Sequence, residues 1–138
     1  MDMKKLKLVQ GVTLIELMVA IAIIGILSAV AYPSYLNYVN TTNRAAATAC
    51  MMEIAHVMER DYSAAFSYEG IALPQLQCRN DVADRYNFAL ANQTARTYQI
   101  VATPTAAQND DCGILLLTQS GRKGANNGFD ADDVANCW

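Results

Sequence analysis

From Val12 to Tyr32 the chain runs for twenty-one residues with one charge among them, Glu16. A helix of that length covers about 30 Å at 1.5 Å per residue, the thickness of a bilayer's hydrocarbon layer. Lys4, Lys5 and Lys7 stand just before it, and no basic residue follows until Arg44. The positive-inside bias therefore predicts a cytoplasmic N-terminus with the rest of the chain on the outer side. After Pro33 the pattern changes but stays helical. Ser34 to Tyr62 is rich in helix formers and holds no glycine or further proline, and Ala46, Cys50, Ile54, Val57 and Met58 gather on one face at helical spacing. One helix of some fifty residues is expected, apolar all round in its first half and amphipathic in its second, where it is suited to lie on a sheet. Gly25 and Pro33 are its interior weak points, since glycine carries a propensity penalty and proline lacks one helical donor. Tyr32, Tyr35 and Tyr38 fall where aromatic rings sit at a membrane interface.

The polar and apolar alternation then switches from helical to strand-like. Ser63 to Asp84, punctuated by Gly70 and Pro74, reads as a long connection covering one sheet edge. Tyr86 to Leu90, Thr97 to Ala102 and Gly113 to Thr118 read as strands, the second ended by Pro104 and the third nearly all apolar. The separators, Ala91 to Arg96 and Thr105 to Cys112, suit antiparallel connections. The tail, Gln119 to Trp138, is rich in Gly, Asn and Asp and reads as a loop. The predicted fold class is α+β: a long N-terminal helix packed on a three- to four-stranded antiparallel sheet.

Charge and cysteine content narrow this picture. Without Asp2 and the three early lysines, seven basic face twelve acidic side chains, a net of −5, which argues against broad affinity for nucleic acid or anionic lipid. Residues 33–138 suffice for one small domain and leave no room for a multi-element enzyme cleft. Cys50, Cys78, Cys112 and Cys137 all fall on the outward side, where oxidation is permitted, so two disulfides are expected. Glu16 is the anomaly, because an unpaired charge inside a span costs roughly 2.5 to 3.5 kcal/mol on insertion scales. Cleavage after Gly11 would create a partner, the α-ammonium of Val12, four residues away on the same helical face or on a neighbouring chain.

A short basic leader, Gly11 before the cut, Glu16 five residues after it and an unbroken apolar helix together resemble a type IV prepilin. The resemblance implies a membrane prepilin peptidase cutting after Gly11, N-methylation of the new terminus, and packing of the apolar helices into a filament core. Val12 departs from the family's usual phenylalanine at the first mature position. At the other end, Asp111 to Leu117, a turn at Gly121 and the terminal Cys137-Trp138 look like the small PilE-like minor pilins rather than calcium-binding pseudopilins. Four cysteines allow three pairings. The sequential one, Cys50 with Cys78 and Cys112 with Cys137, gives the most local loops and is the one the resemblance implies. It would close the tail as a C-terminal disulfide loop.

The implied organisation is a cleaved cytoplasmic leader (1–11), a transmembrane and filament-core helix (12–33) and a periplasmic or extracellular pilin domain (34–138). The chain would sit in the bacterial inner membrane before assembly and in the extracellular pilus afterwards. Its partners would be other pilin subunits, the peptidase, the pilus assembly machinery and, before assembly, the membrane. Two alternatives share this architecture: a pseudopilin of a type II secretion system, and a competence or adhesion pilin binding DNA or surfaces. An ordinary signal anchor, or secretory cleavage at Ala29-Val30-Ala31, fits less well, since the apolar run exceeds a typical signal and carries a carboxylate.

Catalytic chemistry finds no foothold. No nucleophile motif, Walker loop, HExxH or CxxC occurs, so no enzyme activity and no cofactor is expected. His56 is the lone histidine, and Asp130, Asp132 and Asp133 lack the glycine and glutamate that complete a calcium loop, so no metal site is expected and a solvated acidic turn is the reading. Arg122-Lys123, between Gly121 and Gly124, form a basic tip without adjacent aromatics and are the candidate ligand-contact loop. Nucleic acid is allowed as a partner there but not indicated.

Overall fold

The computed structural model describes residues 11–109 and 111–138. The chain divides into two compact units between Leu36 and Asn37. Helix α1, Leu14–Ala65, belongs to both and holds 52 residues, with Pro33 inside it. Its apolar first stretch satisfies its backbone internally while its side chains stay exposed: Leu14 is 79% and Val30 72% accessible.

Within the second unit, α1 buries Ala47, Cys50, Met51, Ile54 and Met58. The buried face is turned from the predicted one. Ala46 is exposed and Val57 only half-buried, while Ala47 and Met51 are fully buried. Ala46 and Ala47 are identical in hydropathy, so only the packing of Met51 and Ile54 on the sheet chooses between them.

Four strands form an antiparallel sheet in the order β1-β2-β3-β4: β1 Tyr86–Ala91, β2 Gln99–Pro104, β3 Leu115–Thr118 and β4 Lys123–Gly124. Pro104 lies inside β2 opposite Tyr86, and Thr97 belongs to the preceding turn rather than to the strand. Period-two alternation sends Ile100 and Ala102 of β2, and Leu115 and Leu117 of β3, into the core against α1, together with Tyr86 and Tyr98. Leu116 points the other way yet is 4% exposed. A Cβ added to Gly124 would lie 3.1 Å from Leu116 Cβ and 3.0 Å from Phe129, so the tail covers this second face, which is why β3 reads as apolar throughout.

Two short helices differ from the loops expected there. Helix α2, Gln77–Asp81, carries Cys78, and α3, Ala131–Cys137, carries Cys137. Both are too short to be stable alone, so periodicity is silent about them. They are held by the bonds Cys50–Cys78 and Cys112–Cys137, whose sequence separations are 28 and 25. The acidic triplet in the tail belongs to α3: Asp130 caps it by accepting from the Asp132 N–H at 2.9 Å, and Asp132 and Asp133 occupy the first turn, where negative charge suits the helix dipole.

Candidate functional site

Three places gather the chain's organised polar side chains. The first is the start of α1. Gly11, Val12 and Thr13 are exposed and outside the helix. The Thr13 hydroxyl accepts from the Glu16 N–H at 3.3 Å, and the Thr13 carbonyl accepts from the Leu17 N–H at 3.2 Å. Thr13 is thus the N-cap and Glu16 the third helical residue, the spacing of a capping box. The Thr-x-x-Glu signature was legible in the sequence and was missed there. In this uncut chain Val12 itself precedes the helix.

The second is the end of the domain where α1 finishes. Glu59 accepts from the hydroxyls of Tyr68 at 2.8 Å and Tyr98 at 3.1 Å, and both rings are buried. Tyr62 stacks on Tyr68, with centroids 4.3 Å apart. Burial first, then the bond to Glu59 and its charge, push Tyr68 up to about 12 and move Tyr98 the same way. Next to this cluster an open groove of about 290 Å³ is lined by Met52, His56, Glu59, Leu117 and Lys123. His56 is exposed, and no group of metal ligands exists among the described residues.

Because the sheet is antiparallel throughout, the β1–β2 turn and the β3–β4 turn lie at one end, joined by a bond from the Gln119 N–H to the Tyr98 carbonyl at 3.2 Å. Arg96 is exposed on the first turn, whose backbone is pinned by the Thr94 hydroxyl accepting from the N–H groups of Arg96 and Thr97. Arg122 and Lys123 are at the second. Lys123 is in strand β4 rather than on a loop tip. The aromatics that sequence reasoning found lacking come from the tail: the Arg122 guanidinium lies 4.3 Å over Phe129 and the Lys123 ammonium 5.1 Å over Trp138. The Trp138 indole is in turn fixed by donating to the Gly124 carbonyl at 2.8 Å.

The third is a polar clamp at the opposite end of the sheet. Asn40 donates to the Asn109 carbonyl at 2.6 Å, its own backbone carbonyl accepts from Gln108 at 2.8 Å, and its side-chain oxygen accepts from Arg85 at 3.3 Å. One asparagine thereby ties the β2–β3 connection to α1. An isolated asparagine within a helix carries no sequence signal for such a role.

A sequence profile described as "Type IV minor pilin ComP, DNA uptake sequence receptor" matches residues 33–116, more than half of the chain. The chain belongs to this family of type IV minor pilins. A second profile, the prokaryotic N-terminal methylation motif, matches residues 6–32. Among solved structures, a type IV pilin from Shewanella oneidensis aligns at 23% identity and TM-score 0.50, covering 67% of this chain and 98% of that one. The non-core minor pilin PilV of Neisseria meningitidis aligns at 16% identity and TM-score 0.53, covering 68% and 96%. At these identities the two structures establish the pilin fold alone. A comparison with curated proteins finds no match. This minor pilin is therefore a structural subunit of a type IV pilus, and its family works by assembly rather than turnover. Its nature as a pilin entails contact with other pilins and with the prepilin processing machinery, and its apolar helix and methylation motif indicate membrane anchoring and incorporation into a pilus.

Proposed function

We propose that prepilin peptidase cuts this chain after Gly11, that Val12 is then N-methylated, and that residues 12–33 hold the protein in the inner membrane until they enter the filament core. Residues 34–138 form the periplasmic and later extracellular domain, cross-linked by Cys50–Cys78 and Cys112–Cys137. In the filament, the Glu16 carboxylate pairs with the ammonium of Val12, most readily that of a neighbouring subunit, which removes an otherwise unpaired charge from an apolar bundle. The observation that carries this reading is the exposure of every large apolar side chain from Leu14 to Leu36, a surface that needs either lipid or other helices around it. Mass spectrometry of filaments purified from the native host tests it. A mature chain beginning with methylated Val12 is expected, and a stable untrimmed precursor refutes it. Glu16→Ala should leave insertion and cleavage intact while abolishing incorporation; incorporation at the wild-type level would refute the pairing.

A second reading, DNA capture by the assembled subunit, is supported by the family's description and by the gathering of Arg96, Arg122 and Lys123 at one end of the sheet. The net acidity of the chain argues against broad affinity for nucleic acid, so such binding would depend on a local cluster of this kind. If all three contact phosphates, replacing them with alanine should lower the slope of log affinity against log salt by about 3, at about 0.9 per phosphate. Titrating duplex DNA into the detergent-solubilised protein measures it, and an unchanged slope excludes this end as the DNA contact.

A further inference from the structure

Hydrolysis after Gly11 requires water to add to the Gly11 carbonyl carbon, the C–N bond to break and the nitrogen to leave with Val12 as an amine. That carbonyl must be reachable. In a helix continued two or three residues further back, the Ile15 N–H would bond to the Gly11 carbonyl and the Glu16 N–H to the Val12 carbonyl. Here the Glu16 N–H is taken by the Thr13 hydroxyl instead, α1 begins at Leu14, and Gly11 to Thr13 are non-helical and exposed. Among the described residues, nothing lies within 4 Å of the position where a Gly11 Cβ would be.

We propose that Thr13 is a positioning residue for processing: its hydroxyl, by capping α1 at the third helical N–H, stops the helix two residues past the scissile bond and leaves the Gly11 carbonyl open to the peptidase. Proteolysis prefers exposed, non-helical backbone, and an N-cap residue is non-helical by definition. The methylation-motif match over residues 6–32 covers this segment and supports processing here independently of the hydrogen bond. The inference rests on the proposed cleavage after Gly11 and adds the reason why a hydroxyl, rather than any small residue, stands at position 13.

The test uses the full-length precursor in detergent micelles with purified prepilin peptidase, and a substitution series at Thr13. Capping strength ranks Asn, Asp and Ser at or above Thr, with Ala and Val far below. Thr13→Ser, Thr13→Asn and Thr13→Asp should be cut at rates within about twofold of wild type, whereas Thr13→Ala and Thr13→Val should be cut about fivefold more slowly, the factor for loss of one cap. In the slow pair the Ile15 amide should exchange with solvent about fivefold more slowly as it bonds to the Gly11 carbonyl. Rates that follow shape, with Val like Thr and with Asn and Asp slow, would mean that the peptidase reads the side chain itself and would overturn the proposal. So would slow cutting of Ala and Val without added protection at Ile15. Failure of the wild-type precursor to be cut after Gly11 is a different result: it removes the processing reading, and this inference with it.

Discussion

Replacing Glu59 is the sharpest probe of how the domain holds the end of the sheet beside α1's last turns together. The Tyr68 and Tyr98 hydroxyls donate to this one carboxylate, and their side chains are 5% and 2% exposed. Glu59→Ala strands both donors, at about 1–3 kcal/mol for each that stays dry. The truncated side chain, however, opens onto the groove of about 290 Å³ that Glu59 lines, so water can reach at least one hydroxyl. The net loss should therefore fall near the low end, about 2 kcal/mol, or about 10 °C in Tm for a domain of this size. Glu59→Gln keeps an acceptor and gives up only the charge-assisted part, about 1 kcal/mol. Adding Tyr98→Phe to Glu59→Ala removes a stranded donor and should restore stability rather than reduce it further, with a coupling of about 1 kcal/mol in the double-mutant cycle. Denaturant unfolding of the full chain in micelles, followed by the fluorescence of Trp138, measures all five proteins, wild type and Tyr98→Phe included. Additive losses from Glu59→Ala and Tyr98→Phe, or an unchanged midpoint in Glu59→Ala, would refute the reasoning.

Other expectations follow from the same contacts. At alkaline pH the fold favours neutral phenols: Tyr68 ionises near 12 when folded and near 10.0 when unfolded, so stability should fall as pH rises from about 10 to about 12. Glu59→Gln should move the phenolate absorbance transition of the native protein to lower pH, and an unmoved transition counts against this network. Gly124→Ala places a Cβ 2.3 Å from the Gly128 carbonyl oxygen, backbone that cannot swing aside, and should cost about 1–3 kcal/mol of overpacking in thermal unfolding. A Tm equal to wild type would contradict the close packing of β4 against the tail. Replacing Cys112 and Cys137 together with alanine opens a 25-residue loop, worth about 3.5 kcal/mol in the chain-entropy model. The loss should appear in denaturant unfolding, and a loss below about 1 kcal/mol would show that α3 and Trp138 hold the tail without the bond.

The features legible from the chain alone were those written in local pattern. An apolar run with one carboxylate, preceded by lysines, is enough to define the N-terminal helix, because membrane length and backbone satisfaction leave a single structure for it. Runs such as Tyr86 to Leu90 and Gly113 to Thr118 show the strands in the same way, since alternation and β-branched or aromatic content express a half-buried pleat. The Thr13-x-x-Glu16 cap was equally local and only needed to be seen.

Contact between distant segments set the remaining features. Ala47 rather than Ala46 is buried because Met51 and Ile54 set the roll of α1 on the sheet. The helices α2 and α3 exist because disulfides and the chain end hold segments too short to persist alone. Arg122 and Lys123 became stacked, oriented cations only when the tail brought Phe129 and Trp138 beneath them, and Arg96 joined that end only through the antiparallel order of the strands. Hydropathy along a chain records what each residue prefers, whereas these outcomes depend on which neighbour arrives, and that is a property of the folded whole.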